Sequence, residues 1–192
     1  MALPKIAVMK HELTLPSSGE KITFRPFLVK EEKILMMALQ SGEAKDMVGG
    51  LKEIINNCVE KDLKVDTLPP FDLEYIFLQL RARSVGDVIP ISYSLPEEIC
   101  KDDKKECTFE KELNLDNIKV QKNKNHKDLI DLTDTIKLKM RYPSMEASAA
   151  MAGVEGTEVV DKTFDIIGQS IEYIVDGEEM HKLTDYTKKE AD

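Results

Sequence analysis

Cys100 and Cys107 bracket the charged run Lys101-Asp-Asp-Lys-Lys-Glu106, and thiolates at the tips of adjacent strands are how small zinc ribbons hold their metal. The separation is wider than a two-residue knuckle. A structural zinc takes about four ligands, and His11, His126 and His181 stand far from the pair in sequence. Two reduced thiols near a hairpin tip is the plainer reading, with Cys100 and Cys107 kept as weak metal candidates. The carboxylate pairs Glu97-Glu98 and Asp102-Asp103 fall in charge-dense, solvated stretches, where a carboxyl is not desolvated enough to serve as a general acid. No Gly-rich phosphate loop, G-x-S-x-G elbow or H-E-x-x-H pair occurs in the chain, so no catalytic residue and no cofactor is assigned. A third chemistry is carried by arginine. Arg25 lies in Arg25-Pro-Phe-Leu-Val-Lys-Glu-Glu-Lys33, and Arg81 and Arg83 lie in Leu80-Arg-Ala-Arg-Ser-Val-Gly86. Beside a helix end, a planar guanidinium fork can clamp a carboxylate or a carbonyl cluster. The alternative is an internal salt bridge that ties elements of the fold together.

The elements that must position these side chains alternate in type along the chain. Leu13-Thr-Leu15 and Lys21-Ile-Thr-Phe24 have a period of two and flank Pro16-Ser-Ser-Gly19, which predicts a β-hairpin ended by Arg25-Pro26. Ile34, Leu35, Ala38 and Leu39 then recur at helical spacing up to Ser41-Gly42. A second helix carries the stripe Met47, Val48, Leu51, Ile54, Ile55, Cys58 and Val59, its first turn weakened by Gly49-Gly50, or its start delayed until after that pair. Pro69-Pro70 breaks the chain, and Asp72 is placed to cap a third helix with the stripe Leu73, Ile76, Phe77 and Leu80.

From Val88 the chain reads as strand: Val88 to Leu95 with Pro90 marking an edge, Thr108 to Leu115, and Thr135 to Tyr142. Three such strands can form one small antiparallel sheet. The lysine-rich stretch from Lys119 to Lys127 reads as a solvated loop. Helix returns in the last third, Ala-rich from Met145 to Met151, then capped at Thr157 with the stripe Val160, Phe164, Ile167, Ile171, Ile174 and Val175 up to Asp176-Gly177. Thr187-x-x-Glu190 is a capping box that opens a helix just as the chain runs out, which points to further residues beyond Asp192.

Composition narrows the function. The chain has 192 residues, 42% of them hydrophobic, enough to build a core. Its 36 acidic and 27 basic residues give a net charge of -9, which disfavours a protein that tracks phosphate backbones or anionic lipid. Absent tryptophan and 6% aromatics leave no platform for stacking bases. No apolar run reaches the roughly 20 residues of a membrane span, and no secretory pattern opens the chain. An odd count of 3 cysteines fits a reducing compartment, with Cys58 on a helix stripe as a core residue. The 9 methionines supply adaptable apolar surface for an interface or a core.

The segments Thr23-Phe-Arg-Pro-Phe-Leu-Val-Lys-Glu-Glu-Lys33 and Phe71-Asp-Leu-Glu-Tyr-Ile-Phe-Leu-Gln-Leu-Arg-Ala-Arg-Ser-Val-Gly86 resemble the T4-type bacteriophage baseplate protein family, whose members include a baseplate hub subunit. The likeness runs through most of residues 10–190, continuing in Phe164 to Gly177 and Asp185-Tyr-Thr-Lys188. Members of the family often carry close cysteine pairs after the strand matched by Ile91 to Tyr93, of which Cys100 and Cys107 would be the remnant, and they run on past the helix opened near Thr187. The resemblance implies no enzymatic activity. It implies a structural component of the tail baseplate hub that works by protein-protein contact with other phage tail proteins, in the host cytoplasm during assembly and then in the virion. A non-virion assembly chaperone and a zinc-binding, nucleic-acid-associated factor are the other readings.

The fold expected is α+β: an N-terminal β-hairpin and helical bundle over 1–87, a small antiparallel β region with charged loops over 88–143, and a C-terminal helical region over 144–192 packing back on the first. Arg25, Phe27, Arg81 and Arg83 are the candidates for partner binding, within a hetero-oligomeric assembly that needs no membrane, nucleic acid or cofactor.

Overall fold

A computed structural model describes residues 8–61, 63–94, 108–151, 154, 156 and 158–182. The fold is α+β, with helices set among small antiparallel sheets. The chain divides into two compact units, Met1–Leu63 with Glu74–Val120, and Lys64–Leu73 with Gln121–Asp192.

In the first unit, β1 (His11–Thr14) and β2 (Lys21–Phe24) form the expected hairpin, with Leu13 opposite Ile22. Gly19 supplies the positive φ of +74° that its turn needs. Leu13, Leu15, Ile22 and Phe24 all point into the core, as the period of two requires. The outer edge of β2 is covered by the same chain. Arg25 N–H donates to Cys58 O at 3.0 Å, Glu60 N–H donates to Thr23 O at 2.9 Å, and Phe24 and Val59 form an antiparallel bridge.

Helices α1 (Val29–Ser41) and α2 (Ala44–Cys58) meet at Gly42, which ends α1 in the left-handed region. The expectation of a frayed or delayed α2 is corrected: the helix starts at Ala44 and passes through Gly49-Gly50. Packing explains it, because a Cβ on Gly50 would lie 3.0 Å from Ala38 Cβ on α1. The missing side chain permits an approach whose burial of Ile54, Ile55 and Cys58 outweighs the entropy cost of glycine.

Helix α3 spans Pro70–Ser84. Its start is also a correction, since Asp72 sits inside the first turn rather than at the cap, and proline with its preset φ takes the first helical position. Ile76, Leu80 and Ala82 complete the core of the first unit. There, β3 (Val88–Ser94) and β4 (Thr108–Asn114) pair antiparallel from Val88↔Asn114 to Ser94↔Thr108.

The expected third partner of β3 and β4 lies elsewhere. In the second unit, β5 (Leu129–Asp131), β6 (Ile136–Met140), β7 (Ile171–Asp176) and β8 (Glu179–His181) form a four-stranded antiparallel sheet in that order. The strand expected over Thr135 to Tyr142 is therefore real, but it pairs with β5 and β7. Helix α4 (Met145–Ala149) is capped by Ser144, whose Oγ accepts from Ala147 N–H at 3.2 Å. Helix α5 covers Glu158–Ser170, and here the extended helical stripe is corrected: Ile171, Ile174 and Val175 belong to β7. Gly177, with φ of +60° and a non-glycine neighbour at negative φ, fits the first central position of a type II′ hairpin turn from β7 to β8. Val65, Leu73 and Ala147 are buried in this unit. Phe71 meets the Tyr142 ring edge-on at 4.9 Å, and His126 stacks on Tyr142 at 5.3 Å.

Candidate functional site

The two arginine segments come together in the first unit. Arg25 follows β2 directly, and the chain is extended at Leu28 where it enters α1. The Arg25 Nη2 donates to Glu31 Oε1 at 3.0 Å and to Asn57 O at 2.9 Å, while Nη1 donates to Pro26 O at 3.0 Å. Phe27 N–H donates to Ser84 Oγ at 3.0 Å, which ties the first segment to the C-terminal end of α3. The geometry is the internal form of the clamp, with one guanidinium holding the end of β2, the first turn of α1 and the last turn of α2.

Glu31 is the counterpart that sequence reasoning left unassigned. Its side chain is fully buried, its Oε2 accepts from Leu28 N–H at 2.8 Å, and Lys30 Nζ lies 3.2 Å from Oε1. Burial alone would raise this carboxyl, but the hydrogen bonds from Arg25, the Leu28 N–H and Lys30 outweigh it and bring the pKa down to about 2. A glutamate at the third position of a helix, reaching back to the residue before it, is half of a capping box. That was the available signal. The Arg25 pKa is raised, chiefly by its hydrogen bond to Glu31. Burial pushes the nearby Cys58 thiol up to about 11, more than the positive charge of Arg25 lowers it, so it stays protonated and unreactive near neutral pH.

Arg81 Nη1 donates to Gly86 O at 3.0 Å, and Arg83 Nη2 donates to Asp116 Oδ1 at 2.9 Å. Arg83 remains exposed at the surface, whereas Phe27, Arg25 and Arg81 are partly buried. Cys100 and Cys107, the acidic pairs Glu97-Glu98 and Asp102-Asp103, and the caps Thr157 and Thr187 lie outside the described residues. The histidines belong to different elements: His11 is on β1 near Phe24, His126 has its Nε2 3.0 Å from Tyr142 Oη, and His181 is on β8. Among the described residues, no group of three or more His, Cys, Asp or Glu side chains could hold a metal ion, and no helix is long and apolar enough to cross a membrane.

Many large apolar side chains among the described residues are exposed. Leu28, Val29, Met36, Met37 and Leu39 are exposed around α1, Val160, Phe164 and Ile167 follow one face of α5, and Val88, Tyr93, Phe109 and Leu113 are exposed on the β3–β4 ribbon. Exposed apolar side chains grouped along an element, such as Tyr93 and Phe109 at paired positions, are the material from which protein contacts are built. An α+β protein with an internal ionic clamp and open apolar faces is what these residues define. The chain matches the model of the T4 bacteriophage base plate protein family over residues 8–192 and belongs to that family. No curated protein and no solved structure matches it.

Proposed function

We propose that this chain is a structural component of the hub region of a phage tail baseplate, joined to neighbouring tail proteins by direct contact and without a cofactor. The observation that carries the reading, beside the family, is the β3–β4 ribbon, where Tyr93 and Phe109 are 55% and 58% exposed at directly opposed positions. Aromatic side chains of this kind are the anchors of protein interfaces, because they bury much area for little lost side-chain freedom. Assembly would take place in the host cytoplasm, and the acidic surface would orient partners and keep the free chain dispersed. Arg83 and Phe27 would lie at the rim of such contacts, while Arg25 and Arg81 hold the fold beneath them.

Quantitative mass spectrometry of purified virions tests the structural role. The expected result is this chain at a fixed ratio to other baseplate proteins. Its presence in assembly intermediates and absence from finished virions would transfer the role to an assembly chaperone. Bound zinc in the purified full chain, together with a mobility shift on DNA at moderate salt, would favour the nucleic-acid-associated factor instead.

A further inference from the structure

The β3–β4 ribbon has one edge closed by proline and one edge open. Leu115 N–H donates to Asp87 O at 2.7 Å, so the pair one step beyond Val88↔Asn114 is a hydrogen-bonded one. Antiparallel ladders alternate between bonded and non-bonded pairs. Ile89/Leu113, Ile91/Lys111 and Tyr93/Phe109 therefore exchange bonds across the ribbon, and Pro90/Glu112 does not. The proline agrees independently, since it has no N–H to give and is tolerated where the backbone faces outward. It blunts the outer edge of β3. On β4, the N–H and C=O groups of Glu110 and Glu112 face outward, and among the described residues no other strand pairs with β4.

The two faces of the ribbon differ. Tyr93, Phe109 and Leu113 share one face with Ile89, Ile91 and Lys111, while Glu110 and Glu112 share the other with Val88 and Pro90. All of β4 except Asn114 is exposed. A two-stranded ribbon alone is marginal in water, and a third strand adds both main-chain bonds and apolar cover. The first hairpin already shows that arrangement, with Cys58 to Glu60 laid along β2.

We infer that the open edge of β4 receives an extended strand from a partner protein, one that alternates apolar residues beside Phe109 and Leu113 with basic residues beside Glu110 and Glu112. This rests on the reading of the chain as a contact-built baseplate component. A second copy of the chain fits poorly, because pairing β4 with its own copy sets glutamates beside glutamates on the same face.

The probe is a synthetic peptide as long as β4 that alternates lysine and valine, with the same residues in blocks as control, added to the full chain. Amide exchange followed by NMR should show new protection at Glu110 and Glu112 with the alternating peptide alone. The amides of Phe109, Lys111 and Leu113, already bonded within the ribbon, should change little. Glu112→Pro removes an outward donor while leaving the ladder intact, and should weaken the peptide by about tenfold or more. The double substitution Glu110→Lys with Glu112→Lys should switch preference to a peptide alternating glutamate and valine. Equal binding of the block peptide, unchanged affinity in Glu112→Pro, or dimerisation of the free chain through β4 would each overturn the inference. Incorporation into virions is read separately. A chain absent from particles that still protects Glu110 and Glu112 on peptide binding sinks the baseplate reading and leaves the open edge standing. Equal incorporation of wild type and Glu112→Pro sinks strand addition and leaves the baseplate reading standing.

Discussion

The first unit contains two antiparallel hairpins of opposite character. The β1–β2 hairpin turns Leu13, Ile22 and Phe24 into the core and has its edge covered by residues Cys58 to Glu60. The β3–β4 ribbon is longer, at 7 residues per strand against 4, yet Tyr93 and Phe109 on it stand in solvent. Both have an apolar face and a polar face. Among the described residues, what separates them is that Cys58 to Glu60 lie along the edge of β2 while no segment pairs with the outer edge of β4. The apolar face of β1–β2 is buried and stabilises the fold, whereas Tyr93 and Phe109 on β3–β4 are exposed and carry the contact proposed above.

Truncating the apolar residue on each hairpin should give the largest contrast. Phe24→Ala removes a side chain that is 2% exposed and should cost about 3–5 kcal/mol in urea unfolding of the full chain. Phe109→Ala should stay within about 0.5 kcal/mol, as expected for exposed positions. Equal losses at the two sites would mean that the ribbon is packed as tightly as the first hairpin and would end the distinction.

A somewhat smaller effect is expected at the clamp that fixes the end of β2. Glu31 keeps its charge in the folded protein down to about pH 2, against an ordinary glutamate value of 4.5. Because the folded value is the lower one, the stabilisation is fully present above pH 4.5 and is lost as pH falls through 2. Glu31→Gln should cost roughly 3 kcal/mol at neutral pH and flatten the fall in stability through that acid range. An unchanged acid limb in Glu31→Gln would assign the pH dependence to other carboxylates.

The sequence carried the first hairpin more completely than its support. Alternation at Leu13, Leu15, Ile22 and Phe24 around Pro16-Ser-Ser-Gly19 marks both strands and the turn, and the helix stripes mark α1, α2 and α3. The covering segment leaves no such trace, because a single bridge at Val59 has no period and follows directly from the helix stripe. The same ambiguity hid β7: Ile171, Ile174 and Val175 continue the three- and four-residue spacing of α5, so periodicity alone ran the helix onward. Asp176-Gly177 is a hairpin signal as well as a helix stop, and β8 across the turn decides between them. Strand identity was also easier to read than strand partnership. Ile136 to Met140 alternates as expected, but nothing in alternation says which sheet it joins. At the clamp, Arg25 was visible as a residue able to grip a carboxylate, whereas the choice of Glu31 depends on the three-dimensional meeting of β2, α1 and α2.

The smallest effects come from the same substitution at a covered edge and an open one. Glu60 N–H donates to Thr23 O at 2.9 Å, so Glu60→Pro removes a bond from the segment covering β2 and should cost about 1–3 kcal/mol. The exposed ion pair between Lys10 and Glu60 is lost too, and Glu60→Ala isolates that part, expected to stay below about 1 kcal/mol. Glu112→Pro removes an N–H that faces outward from β4, and the preceding residue is already in the extended conformation that proline demands. In the free chain it should therefore shift stability by no more than about 0.5 kcal/mol. Thermal and urea unfolding of the three variants check the pairing. A loss above about 1 kcal/mol in Glu112→Pro would mean that the outward edge of β4 already has an internal partner, making the two hairpins alike in the respect that matters for assembly.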